Sequence, residues 1–185
     1  MTELREVHKD AIISPCGAYR YMLTRVWEYS RGMLPFVMLN PSMADDKIDD
    51  PTIRRCMNFA KREGYGGIFV ANLFAFRATD PVDVRRAAIF GTDPIGPDNE
   101  LYLRVMATNA KRREVPVICA WGAVGGGPQA DHVARLMIES GATLKCLGVT
   151  KEGHPRHPLY LPANAPLIDY QMRDAGRSRR EEKAA

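Results

Sequence analysis

The segment from Phe36 to Phe76 constrains the fold of this chain more than any other. It holds two nearly unbroken apolar runs, "PFVMLN" and "IFVANLFAF", separated by a polar loop, "PSMADDKI", and by "DDPTIRRCMNFAKREGYGG". The latter stretch reads as a helix: Asp50 is a good N-cap, Pro51 a good first residue, and Gly64 a stop. Ile53, Cys56, Met57 and Ala60 recur at helical spacing, with Arg54, Arg55, Lys61 and Arg62 on the outside. Strands that are apolar at every position are covered on both faces. Joined through a helix, two of them form a parallel, right-handed βαβ unit. The chain is therefore expected to be an α/β protein.

The remaining elements extend that unit. "YRYMLTRVWE" (Tyr19 to Glu28) alternates like a half-exposed strand and is expected to pair antiparallel with "PFVMLN" across a turn near Arg31-Gly32. A short helix should follow Asp80-Pro81, and a longer one should begin near Asp98. "PVICAW" and "TLKCLGV" read as buried strands on either side of the helix "ADHVARLMIESG". This order predicts a three-layer α/β/α sandwich with a mainly parallel central sheet plus an N-terminal antiparallel strand. One domain is expected over residues 1–172, with 173–185 a flexible charged tail.

At 185 residues, 45% of them hydrophobic and 26% charged, the chain is long and apolar enough to bury one ordinary core. Its apolar runs are too short to span a bilayer, and its charged N-terminus lacks a signal-peptide core, so a cytoplasmic protein without a membrane partner is expected. Four scattered cysteines with no C-x-x-C pair read as reduced thiols. The net charge of +4 permits a nucleic-acid partner without arguing for one, because no basic stripe accompanies it.

In open parallel sheets, ligands bind outside the carboxyl ends of the strands. Here those ends carry Asn40-Pro41-Ser42, the stretch from Asn72 through Phe74 to Arg77, Trp121-Gly122, and "GHPRHPLYL" with His154, His157 and Pro158. Asn40 either holds a water or ligand edge or simply turns the chain with Pro41. Asn72 interrupts an apolar strand, where an unpaired amide costs roughly 2–7 kcal/mol. It is either a satisfied structural amide or a ligand reader. Trp121 either stacks on a planar ligand or packs in the core. Arg77 is a candidate anion contact. A histidine of the last loop suits a developing anion, since an N–H donor stabilises it directly. Gly125, Gly126 and Gly127 match no phosphate-binding pattern and read as a loop. No metal or other cofactor is expected, because neither H-E-x-x-H nor a Cys/His set is present. With Asp50 assigned to the helix cap, Asp45, Asp46 and Asp49 have no evident task.

The phrases "MLNPSMAD", "DDPTIRRC", "GYGGIFVANLFAFRATDP", "GPDNE", "AWG" and "CLGVTKEGHPRHPLYL" resemble the bacterial family catalogued as domain of unknown function 1643, from about Cys16 to Leu161. More distantly, the chain resembles the uracil-DNA glycosylase superfamily. That likeness places Asn40-Pro41 at its first-strand motif, Asn72 at its base-reading asparagine, and His157-Pro158 at its late H-P-S loop. Met38 stands where that superfamily has glycine, and Leu159 where it has serine. The resemblance implies a uracil-DNA-glycosylase-like fold in which Asn40 positions water, Asn72 reads a flipped base, and His157 steadies the departing ring. The expected function is binding of a nucleobase, nucleoside or nucleic acid, with hydrolysis of an N-glycosidic bond if the chain is an enzyme. A non-catalytic nucleotide-binding module is the alternative. A metal-dependent hydrolase built from His154, His157 and the Asp45–Asp50 acids is the third reading.

Overall fold

The computed structural model describes residues 7–42 and 48–172; Asp45, Asp46 and the 173–185 segment lie outside the described residues. The strands are β1 (His8–Ile13), β2 (Arg20–Val26), β3 (Met33–Met38), β4 (Gly67–Asn72), β5 (Val117–Cys119), β6 (Leu144–Cys146) and β7 (Ile168–Asp169). The helices are α1 (Pro51–Arg62), α2 (Pro81–Ile89), α3 (Asn99–Arg112) and α4 (Pro128–Glu139). One seven-stranded sheet runs in the order β1-β2-β4-β3-β5-β6-β7. Its four central strands, β4, β3, β5 and β6, are parallel, while β1, β2 and β7 are antiparallel to their neighbours. Among the described residues, no helix is long and apolar enough to cross a membrane.

The two-residue period of the strands divides the core. Leu34, Phe36, Ile68 and Val70 pack with Ile53, Cys56, Met57, Phe59 and Ala60 of α1 on one side. Val37, Ala71, Cys119 and Leu144 pack with Leu103, Met106, Val133 and Met137 of α3 and α4 on the other. This explains why β3 and β4 are apolar at successive positions: each has helices over both faces.

Helix α1 begins as its sequence signals. The Asp50 Oδ1 accepts the Ile53 N–H at 2.8 Å, and Pro51 follows at the first helical position. The helix also grips the late loop. Arg55 donates to the carbonyl of Leu161, and Arg62 donates to those of Ala163 and Ala165 at 2.8 and 2.7 Å. Both guanidinium groups lie about 5 Å from the Phe59 ring centre, so charge and stacking act together.

The expected hairpin between β2 and β3 is corrected: β2 pairs with β4, and β4 lies between them. Both sides of β3 are taken by the parallel strands β4 and β5, leaving β2 only the open side of β4. The connection then crosses the start of β4 at Gly66, whose carbonyl accepts the N–H groups of Trp27 and Glu28, both at 2.9 Å. A Cβ at Gly66 would lie 1.9 Å from the Glu28 carbonyl oxygen, so only glycine permits this crossing. The two edge strands β1 and β7 add to the expected set. The expected strand from Ile68 to Phe76 ends as a regular strand at Asn72.

Asp49 has a structural task. Arg25 of β2 is fully buried, and its Nε donates to Asp49 Oδ1 at 2.6 Å. Its Nη1 donates to the Thr24 carbonyl at 2.8 Å, and Lys9 of β1 reaches the second Asp49 oxygen at 2.9 Å. The start of α1 is thereby tied to the antiparallel edge of the sheet. Burial pushes the Asp49 carboxyl up, but the hydrogen bonds and charges of Arg25 and Lys9 outweigh it and hold the group below its ordinary range. A depressed folded-state value means stability that is present above the unfolded value, about 3.9, and lost as pH falls through the folded one. Urea midpoints measured between pH 7 and pH 2 should therefore fall more steeply for the wild type than for Asp49→Asn.

Candidate functional site

The chain passes from β3 to β4 through α1 on one face, then returns past β3 to β5 through α2 and α3. The connections thus diverge between β3 and β5, and the carboxyl ends of these strands flank a switch point, where open sheets leave a crevice. A cleft of about 470 Å³ lies there. Four strand ends meet in it: Met38, Leu39, Asn40 and Ser42 from β3, Asn72 from β4, Trp121 and Gly122 from β5, and Thr150, Arg156, His157 and Tyr160 from the loop after β6. Ala78, Thr79 and Pro81, leading into α2, complete one wall, and Asp50, Thr52 and Ile53 of the α1 start form another.

Each asparagine is held differently. The Asn40 Nδ2 donates to the carbonyls of Ala78 at 2.7 Å and Pro41 at 3.2 Å, tying the end of β3 to the segment before α2. The buried Pro41 carbonyl also accepts the Ala78 N–H at 3.0 Å, so Pro41 braces the cleft from behind. Asn72 is only 2% exposed, and its Oδ1 has no hydrogen-bond partner among the described residues. Its backbone is fixed: fully buried Asn99 donates to the carbonyls of Asn72 and Leu73 at 3.1 and 3.2 Å, and Gln129 adds a bond to Leu73 at 3.0 Å.

Trp121 is likewise 2% exposed, and its Nε1–H is buried with no partner among the described residues. Its ring meets Tyr170 edge-on at 5.6 Å, and a Cβ at Gly125 would lie 2.8 Å from its own Cβ. Gly122 adopts φ of +75°, and a Cβ there would stand 3.2 Å from that of His157. The glycine lets the late loop close against the end of β5.

His157 opens a short 3-10 turn, Pro158–Tyr160, and its Nδ1 accepts the Leu159 N–H at 3.3 Å. A ring nitrogen that accepts carries no proton, so the proton resides on Nε2, which becomes a donor. Burial draws the imidazole below its ordinary range, against a smaller opposing pull from the Asp50 carboxylate. The surroundings of His157 thus favour the neutral imidazole.

Of the residues singled out in the sequence, Asn40, Ser42, Asn72, Trp121, Gly122 and His157 line the cleft. Phe74 lines an adjoining hollow of about 350 Å³, which shares Leu39, Pro81 and Val124 with the first. Arg77 donates to the Gly17 carbonyl at 3.1 Å, His154 packs on Gly126, and Pro158 is buried under the turn. Among the described residues, no three or more His, Cys, Asp or Glu side chains come together in a group that could hold a metal ion. Cys56, Cys119 and Cys146 are buried, and burial pushes each thiol up.

Arg20 and Asp50 also line the cleft; Arg20 was not read as a site residue from the sequence, and Asp50 entered only as one of the acids of the metal-dependent reading. Arg20 starts β2, which runs against the parallel strands and so begins at their carboxyl edge. An alternating strand that starts with arginine was the available signal. Asp50 was accounted for by its capping role, yet its Oδ2 also accepts the Ser42 hydroxyl at 2.5 Å inside the cleft.

Fold and cleft together define an open-sheet α/β protein with a largely apolar crevice, carrying a few polar side chains, at its switch point. The family model DUF1643, described as a protein of unknown function, matches residues 20–159, and the chain belongs to that family. The matched span contains every cleft residue except Tyr160. Comparison with curated proteins finds no match.

Proposed function

We propose that the cleft binds a nucleobase or nucleoside, free or in nucleic acid, and hydrolyses its N-glycosidic bond on a three-layer, uracil-DNA-glycosylase-like scaffold. One observation carries this reading. Asn72 and Trp121 both line the cleft, and the Asn72 Oδ1, an acceptor, and the Trp121 Nε1–H, a donor, are buried beside it without partners among the described residues. Buried polar groups are nearly always paired, and each unpaired one costs about 1–3 kcal/mol. A planar ligand whose edge offers a donor and an acceptor would satisfy both. Apolar Met38, Leu39 and Ile53 suit the faces of such a ring.

The chemistry then follows from position. The His157 Nε2–H would donate to the ring nitrogen as the bond breaks, and the Asn40 carboxamide oxygen would orient water. Purified protein incubated with modified-base oligonucleotides and with free nucleosides is expected to release free base. His157→Ala should lower that rate about 10²–10³-fold, the usual effect of removing one donor to a developing anion. No release from the whole panel, with saturable binding that is lost in Asn72→Leu, would instead define a non-catalytic binding module.

A further inference from the structure

We infer that Asp50, held by Ser42 at the mouth of α1, is the carboxylate that faces the sugar in this cleft, a role that rests on the glycosidic reading above. Cleavage of an N-glycosidic bond leaves positive charge on the sugar ring, and a site for it needs an anion as well as a donor to the departing base. Asn40 cannot supply that anion. It is a neutral amide, and its nitrogen is committed to the Ala78 and Pro41 carbonyls.

Asp50 can. It lines the cleft with His157 and is near enough to act on the imidazole electrostatically. Two bonds fix its orientation: Oδ1 accepts the Ile53 N–H at 2.8 Å, and Oδ2 accepts the Ser42 hydroxyl at 2.5 Å. A carboxylate has about four acceptor positions, so these bonds leave lone pairs for a water or a cation. The Asn40-Pro41-Ser42 turn and the helix cap are thus one device: the turn delivers the hydroxyl that aims the cap into the cleft.

The step balances with water as the only co-reactant. The sugar C1′–N bond breaks, and its electron pair leaves on the ring nitrogen, which His157 Nε2–H hydrogen-bonds. A water lone pair forms the new C1′–O bond. The water proton passes to the Asp50 carboxylate and from there, through solvent, to the released base. Free base and a 1′-hydroxyl sugar result, with Asp50 ionised again.

The test separates this role from the site reading itself. Nucleobases are titrated into the wild type and Asp50→Asn by calorimetry. Each protein–base mixture is then titrated with iminoribitol, a ring cation at neutral pH, and with its uncharged cyclopentane counterpart. Asparagine caps helices as well as aspartate, so the variant should keep its fold. The expected result is base affinity within about twofold in both proteins. In the same titrations the wild type should prefer the cation over the neutral ring at least tenfold, and the variant should not. Base binding with no cation preference in the wild type would overturn the role of Asp50 and leave the site reading standing. Failure of the wild type to bind any base would overturn both. The wild-type comparison of charged and neutral rings decides the matter even if the variant does not fold.

Discussion

Asn72→Leu is expected to make the protein more stable and unable to bind its ligand. In most buried positions an asparagine replaced by leucine loses hydrogen bonds; here the Oδ1 has none to lose among the described residues. The backbone around it is secured independently by Asn99 and Gln129. Leucine keeps asparagine's branched outline, with room for its bulkier methyl groups on the cleft side, and removes an unpaired acceptor whose burial costs about 1–3 kcal/mol, so a gain of up to about 1 kcal/mol should appear in urea unfolding. Such a gain at the expense of binding is the usual sign of a functional polar group. Asn40 provides the contrast. Its Nδ2 donates to Ala78 at 2.7 Å, and Asn40→Ala should cost about 1 kcal/mol whatever the ligand. Paired urea titrations and calorimetry with nucleobases distinguish the two residues.

Arg25→Met is expected to be the most destabilising single change. The Arg25 side chain is wholly buried, Asp49 is 15% exposed, and their 2.6 Å contact joins the start of α1 to β2. Removing one partner of a buried pair costs about 3–5 kcal/mol, and because Lys9 still reaches Asp49 at 2.9 Å the loss should fall at the lower end of that range. Replacing both, as Arg25→Met with Asp49→Leu, should recover much of that loss, because two apolar groups leave no buried charge unpaired. The urea midpoints of the two single variants and the double variant form the cycle that measures this coupling. A loss below about 1 kcal/mol for Arg25→Met would show that the pair behaves like an exposed one.

The central βαβ unit was legible because its signals agree: strands apolar on both faces, a capped helix, and glycine at its end. The position of β2 was not. Neighbours in sequence usually pair, but β3 has both edges occupied, and that depends on where β5 returns some eighty residues later. Gly66 marks the crossing, yet in sequence it is one glycine of the run "GYGG".

The candidate site was legible where it depends on strand ends. Asn40, Asn72 and Trp121 each close or directly follow a parallel strand, and parallel strands finish at one edge; His157, well past β6, is brought there by the loop that closes on Gly122. Residues farther along diverge. Beyond Asn72, the N–H groups of Leu73 and Phe74 still bond to Met38 and Leu39, and the chain carries Phe74 past the first cleft to the next hollow. Arg20 required knowing that an antiparallel strand begins at that same edge. Asp50 was legible chiefly as a cap, since one carboxylate serves both the helix and the cleft.

The most direct measurement is a crystal structure of the protein soaked with nucleobases at saturating concentration. The account predicts a planar ring between the ends of β3 and β5, with its polar edge about 2.7–3.2 Å from the Asn72 carboxamide and the Trp121 indole nitrogen. A cleft that holds only water under those conditions, with both atoms satisfied by it, would contradict the account.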